Sequence, residues 1–180
     1  VVLIGGLAFV LMLSEGVAFD WSTVHLRDHL GSSESTAALA FGAFSVAMTV
    51  VRLVADLLVR AWGPGPFVRR AAALGAIGFA ITVAAPSPVI GLLGWTVVGI
   101  GLAGCAPQFY SAAGNVDRRY SGVYLARAVG MGYVGLLAGP SVIGAISSTA
   151  GLDRALIVPL AGCLVAAALA PQALRHDSAR

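Results

Sequence analysis

The chain has no lysine: its 11 basic residues are all arginine, set against only 8 acids. Charged residues amount to 11% of the 180, less than half the ~25% of an ordinary soluble domain, which excludes a surface built to face water on all sides. Cysteine is scarce too. Cys105 and Cys163 both sit inside apolar runs, which excludes a disulfide framework or a thiolate metal cluster and leaves two small hydrophobes. His25, His29 and His176 fall outside the apolar runs, so no Ser/His dyad is expected within a membrane. Phosphate-binding glycine loops and metal-ligand spacings are missing as well. The chain therefore does not read as an enzyme, and no cofactor is expected. Its net charge of +3 and pI of 9.3 could suit nucleic acid, but the arginines occupy short turns between apolar runs, so no nucleic-acid partner is expected.

What is abundant is apolar sequence, at 58% of residues with a mean hydropathy of +0.91. A spanning helix needs ~20 largely apolar residues. Six such runs are read at about 1–19, 37–58, 67–85, 89–111, 122–148 and 155–174, followed by a polar tail at 175–180. The fold class expected is thus all-α, a polytopic bundle of six transmembrane helices in a lipid bilayer. Asp20-Trp21 and Trp62 read as anchors at the headgroup level. Ser22 to Thr36 reads as a polar loop, and Gly63-Pro64-Gly65-Pro66 as a helix breaker. No basic stretch precedes the apolar run at Val1, so a cleaved signal peptide is not expected. The missing initiator methionine reads as a fragment or an alternative start.

The arginines orient the spans. Arg60, Arg69, Arg70, Arg118, Arg119, Arg175 and Arg180 fall in the even-numbered turns and the tail, whereas the odd-numbered turns hold only Arg27 and Arg154. Positive charge is retained on the cytoplasmic side, which places both termini there.

Several residues stand out from this background. Glu15 is an acid within the first span, near its outer end as the run is drawn. It is either a carboxylate reaching interfacial water or a proton acceptor or polar-solute contact. Gln108 follows Pro107 in span four and either bonds a neighbouring helix or faces a cavity. Arg127 lies about 8 Å into span five, where it can snorkel to the interface or meet a solute. Tyr110 and Asn115 read as interface residues. Span five carries Gly135, Gly139, Pro140 and Gly144. Its glycines admit a neighbouring backbone and its proline bends the helix, which suits either packing or gating.

Six spans, a basic turn after the second and a G-x-x-x-G-P-x-x-x-G helix at the fifth resemble the C-terminal half of a major facilitator superfamily transporter. Arg52-Leu53-Val54-Ala55-Asp56, then Arg60, Gly63 and Arg69-Arg70, follow that family's loop pattern G-x-x-x-D-R-x-G-R-R, with Val51 where a glycine is expected and Leu57 where a basic residue is. Glu15-Gly16-Val17-Ala18-Phe19-Asp20-Trp21-Ser22, with Pro107, Phe109, Gly132-Tyr133 and Gly139-Pro140, resembles its YbjJ-like bacterial subgroup.

The resemblance implies secondary transport of a small solute across the bacterial inner membrane by alternating access, proton-coupled and without ATP. It further implies a partner, the N-terminal six-helix half of the same transporter or a second copy. Asp56 with Arg52 and Arg60 would latch cytoplasmic helix ends; a solvated basic loop is the other reading. A self-standing six-helix protein and a truncated, non-transporting remnant remain as alternatives.

Overall fold

The computed structural model describes residues 1–175, and the rest of the tail, with His176 and Arg180, lies outside the described residues. Seven α-helices form the bundle: α1 (Val2–Val24), α2 (Glu34–Trp62), α3 (Pro64–Val83), α4 (Pro88–Leu102), α5 (Cys105–Gly114), α6 (Ser121–Ala150) and α7 (Leu152–Ala173). A π-helical turn at His25–His29 continues α1, and a 3-10 turn at Arg118–Tyr120 leads into α6. With α4 and α5 taken as one broken helix, six helices are long and apolar enough to cross a membrane. The fold is an all-α polytopic bundle.

The helix limits follow from local chemistry. Ser33 caps α2, its side chain accepting from the Thr36 amide at 3.3 Å. Proline occupies the first position of α3 and of α4, where its missing N–H would have had no helical partner. Gly63 is the entire break between α2 and α3, at φ +81°, a conformation costly to other residues.

Hydropathy underestimates most of these helices, because it counts apolar side chains while the backbone ladder runs on through polar ones. Two readings change as a result. The segment Ser22 to Thr36 is not simply a loop: α1 and its π-helical extension occupy it as far as His29. The basic stretch Arg52 to Arg70 is helical on both sides of Gly63, and Arg52 lies inside α2.

Packing is uneven around the bundle. Helix α1 rests most closely on α6, α3 on α4 and α7, and α2 on α4. Trp95, Phe44, Phe79 and Phe109 are the largest fully buried side chains. Helices α2 and α6 are the least covered of the spans. They leave Leu53, Leu57, Val134 and Leu137 exposed, as expected of faces that meet lipid or another polypeptide.

The fourth span is broken. Ala103 is extended and Gly104 takes φ +75°, so the ladder stops for two residues within the apolar run. A Cβ on Gly104 would stand 2.9 Å from the Ala55 Cβ and 3.3 Å from the Phe67 ring. Glycine there meets both a left-handed backbone and a close neighbour. Cys105 Sγ donates to the Gly101 carbonyl across the break at 3.6 Å, supplying a partner to a group the ladder no longer serves.

Candidate functional site

Glu15 lies deeper than its apolar run suggests. Helix α1 continues from Gly16 to Val24, about 14 Å beyond it, so the carboxylate stands past the middle of a longer helix than the apolar run. Its side chain is only 9% exposed. A lone ionised acid there would be expensive, and α2 supplies the counter-charge. Arg52 Nη2 donates to Glu15 Oε1 at 2.9 Å, while the arginine side chain stays half exposed. The arrangement is one acid nearly sealed in the bundle and one cation with further N–H groups to offer. Such a pair can hold or release a proton on the acid, and can exchange the acid for another anion on the arginine.

Arg52 is thereby drawn away from Asp56. Both Asp56 and Arg60 are exposed on α2, and among the described residues neither makes an ion pair. Gln108 is half-buried in α5. Arg127 is exposed and lines an apolar pocket of about 560 Å³ with Phe9, Gly130, Met131, Val134 and the first two residues. Among the described residues no hydrogen bond or ion pair joins Gln108 or Arg127 to Glu15.

The glycine face of α6 sets how close α1 can come. A Cβ on Gly135 would overlap the Phe9 carbonyl, and one on Gly139 would lie 2.5 Å from the Leu13 carbonyl oxygen. Gly144 differs, meeting only the Trp21 ring at an ordinary 3.5 Å. Pro140 cannot donate to the carbonyl four residues before it, that of Leu136. Gly16 of α1 packs directly onto that oxygen, and Trp21 Nε1 donates to the Pro140 carbonyl at 3.3 Å. The proline turn of α6 is therefore keyed into α1, two turns or less from Glu15.

Tyr110, read as an interface residue, is half-buried and turns its hydroxyl toward α6. Its hydroxyl is buried without a hydrogen-bond partner and lies against Gly132, where a Cβ would overlap it. A tyrosine near the end of an apolar run looks the same in sequence whether it faces headgroups or a neighbouring helix. The glycine opposite, 22 positions away, gave no local signal.

No family model matches the chain. Curated relatives do. The chain is 35% identical over 155 residues to an uncharacterized MFS-type transporter of Yersinia pestis, covering 86% of this chain and 40% of that protein. It is 34% identical over 170 residues to an uncharacterized transporter of Sinorhizobium fredii, covering 94% and 45%. With the membrane protein MosC of Rhizobium meliloti it shares 30% identity over 165 residues, covering 91% and 40%. The chain is similar to part of a transporter. It spans less than half the length of each of these relatives, and the two whose names state an activity are transporters.

Proposed function

We propose that this chain is the C-terminal half of a major facilitator superfamily transporter, of the YbjJ-like bacterial subgroup, moving a small solute by alternating access. Glu15 is its proton-coupling acid. The observation that carries this reading is the Glu15–Arg52 pair, 2.9 Å apart between α1 and α2, with the carboxylate nearly sealed in the bundle. Proton coupling needs a group whose charge can be traded inside the membrane without leaving an uncompensated ion. When a solute anion takes up Arg52, Glu15 loses its counter-charge and binds a proton; when the solute leaves, the pair re-forms and the proton is released. Gln108, in α5 beyond the break at Gly104, contributes a polar contact to the solute, and Arg127 a second one nearer the cytoplasm.

The partner in this reading is the N-terminal six-helix half, in line with the length of the relatives and the uncovered faces of α2 and α6. Both termini face the cytoplasm of a bacterial inner membrane, an orientation supported by the arginine distribution. Asp56 and Arg60 form the cytoplasmic latch toward that half, and the bend at Pro140 between Gly135, Gly139 and Gly144 is where α6 flexes.

The test uses everted membrane vesicles carrying the intact protein, an imposed pH gradient and a pH-sensitive dye, with small solutes added one at a time. Some solute should collapse the gradient with the wild type and not with Glu15→Gln. If the two proteins respond identically to every solute that moves protons, Glu15 is not the coupling acid. An antibody against this chain checks the partner. A native band of about twice 18.2 kDa is expected for a paired-repeat transporter, and one near 18.2 kDa would refute the covalent half.

A further inference from the structure

At the end of the bundle opposite the arginine-rich turns, a second polar cluster takes no part in the transport reading. The π-helical turn after α1 carries His25 and His29, four residues apart, and the first turn of α7 brings Asp153 beside them. One ring nitrogen from each histidine and one carboxylate oxygen all lie within 4.8 Å of one another. The imidazoles stack at 5.4 Å and 21°. His29 Nε2 stands 2.9 Å from Asp153 Oδ1, yet that oxygen is buried with no aligned hydrogen-bond donor. His25 is completely buried. Its Nδ1 accepts from Trp95 Nε1 at 3.3 Å, and its Nε2 has no partner. Buried polar atoms are normally satisfied; two orphans in one three-residue cluster ask for a shared partner.

We propose that His25, His29 and Asp153 form a binding site for a borderline divalent transition-metal ion, with Zn²⁺ as the type case. Two imidazoles and one carboxylate are ligands for such ions, whereas Ca²⁺ and Mg²⁺ take oxygen alone. A tetrahedral ion holds nitrogen and oxygen at about 2.0–2.2 Å, hence its ligand atoms roughly 3.3–3.6 Å apart; the atoms here, one pair at 2.9 Å and all within 4.8 Å of one another, are near that spacing. The fourth position falls to water. His29 is exposed and gives the ion its way in. The other carboxylate on the turn, Asp28, is already held by two hydrogen bonds from Arg27, so it does not compete.

Trp95 opposes the ion in an informative way. An indole N–H only donates, so the metal-free His25 ring carries its proton on Nε2. Coordination through Nε2 moves that proton to Nδ1, where it faces the indole N–H, and the hydrogen bond is lost. One weak hydrogen bond is small beside three ligand bonds, so the ion wins, but with reduced affinity. Removing the indole N–H therefore tightens binding, a signature that a merely structural histidine pair does not share. A bound ion staples the end of α1 to the start of α7.

The site does not rest on transport, and its test is separate: Zn²⁺ titrated calorimetrically into the intact protein in detergent, with helix content followed by circular dichroism. One saturable equivalent is expected, weakened by about tenfold or more in His29→Gln and in Asp153→Asn. Both residues are partly exposed, so the fold should survive either change. Trp95→Phe should bind several-fold tighter, and His176→Gln should change nothing. Absence of saturable binding, or binding that persists unchanged in both His29→Gln and Asp153→Asn, overturns the site. A Trp95→Phe protein that binds no tighter overturns the role of His25 Nε2.

Discussion

Gly16 of α1 lies against the carbonyl oxygen of Leu136 in α6, the acceptor left free when Pro140 took the place of a donor. The contact works only because Gly16 has no Cβ. A proline inside a helix in lipid leaves an unpaired carbonyl that water cannot reach. Here the backbone of α1 covers it, and the Trp21 indole adds a hydrogen bond to the carbonyl of Pro140 itself.

Gly16→Ala should therefore force α1 and α6 apart. Overpacking of this kind costs about 1–3 kcal/mol, and the thermal midpoint of the detergent-solubilised protein should fall. Gly42→Ala is the control. Nothing lies within 4 Å of its added methyl, so the midpoint should hold or rise slightly with the better helix former. Equal behaviour of the two variants would remove the close contact from the account.

Breaking the Glu15–Arg52 pair from one side should hurt more than removing both charges. Arg52→Gln leaves a nearly sealed carboxylate without its partner. The loss should be smaller than the ~3–5 kcal/mol seen when a fully buried pair is broken, because Arg52 is half exposed. Glu15→Gln combined with Arg52→Gln should recover much of it. A double variant less stable than Arg52→Gln alone, measured by thermal unfolding at fixed pH, would argue that Arg52 stabilises by packing and not by charge.

Gly104→Ala should destabilise the junction of α4 and α5. The left-handed backbone costs a non-glycine residue roughly 1–2 kcal/mol, and the new methyl would crowd the Ala55 Cβ at 2.9 Å. Lower yield of folded protein and a lower thermal midpoint are expected. An unchanged midpoint would mean that the chain rebuilds the break as continuous helix.

Asp56→Asn bears on the latch. If Asp56 holds a cytoplasmic helix end in one access state, its loss should change the transport rate more than the half-saturating solute concentration, as read from initial rates in vesicles. Identical kinetics would leave Asp56 as a solvated acid on an exposed helix face.

How much of this could be seen in the amino-acid order depends on the range of the interaction. Glu15 was recognisable as a functional candidate because an acid in an apolar run is conspicuous. Its partner was not, since Arg52 lies 37 residues away and read as one of a latch with Asp56 and Arg60. Gly135, Gly139 and Pro140 stood out by spacing, but their counterpart Gly16 sat inside a motif noticed for other reasons. His25 and His29 were placed in a polar loop, so neither their helical register nor their nearness to Asp153 could be anticipated.

The sequence by itself determined that the chain is helical and carries six runs long and apolar enough to cross a membrane, because hydropathy and helix-breaking residues act over one or two turns. The tertiary structure alone decided which charge neutralises Glu15, which carbonyl Gly16 covers, where the fourth span breaks and which three side chains meet at the far end of α1. Those outcomes depend on how helices distant in the chain approach one another. That approach is set by the summed fit of many small residues, each of which looks ordinary in its own neighbourhood.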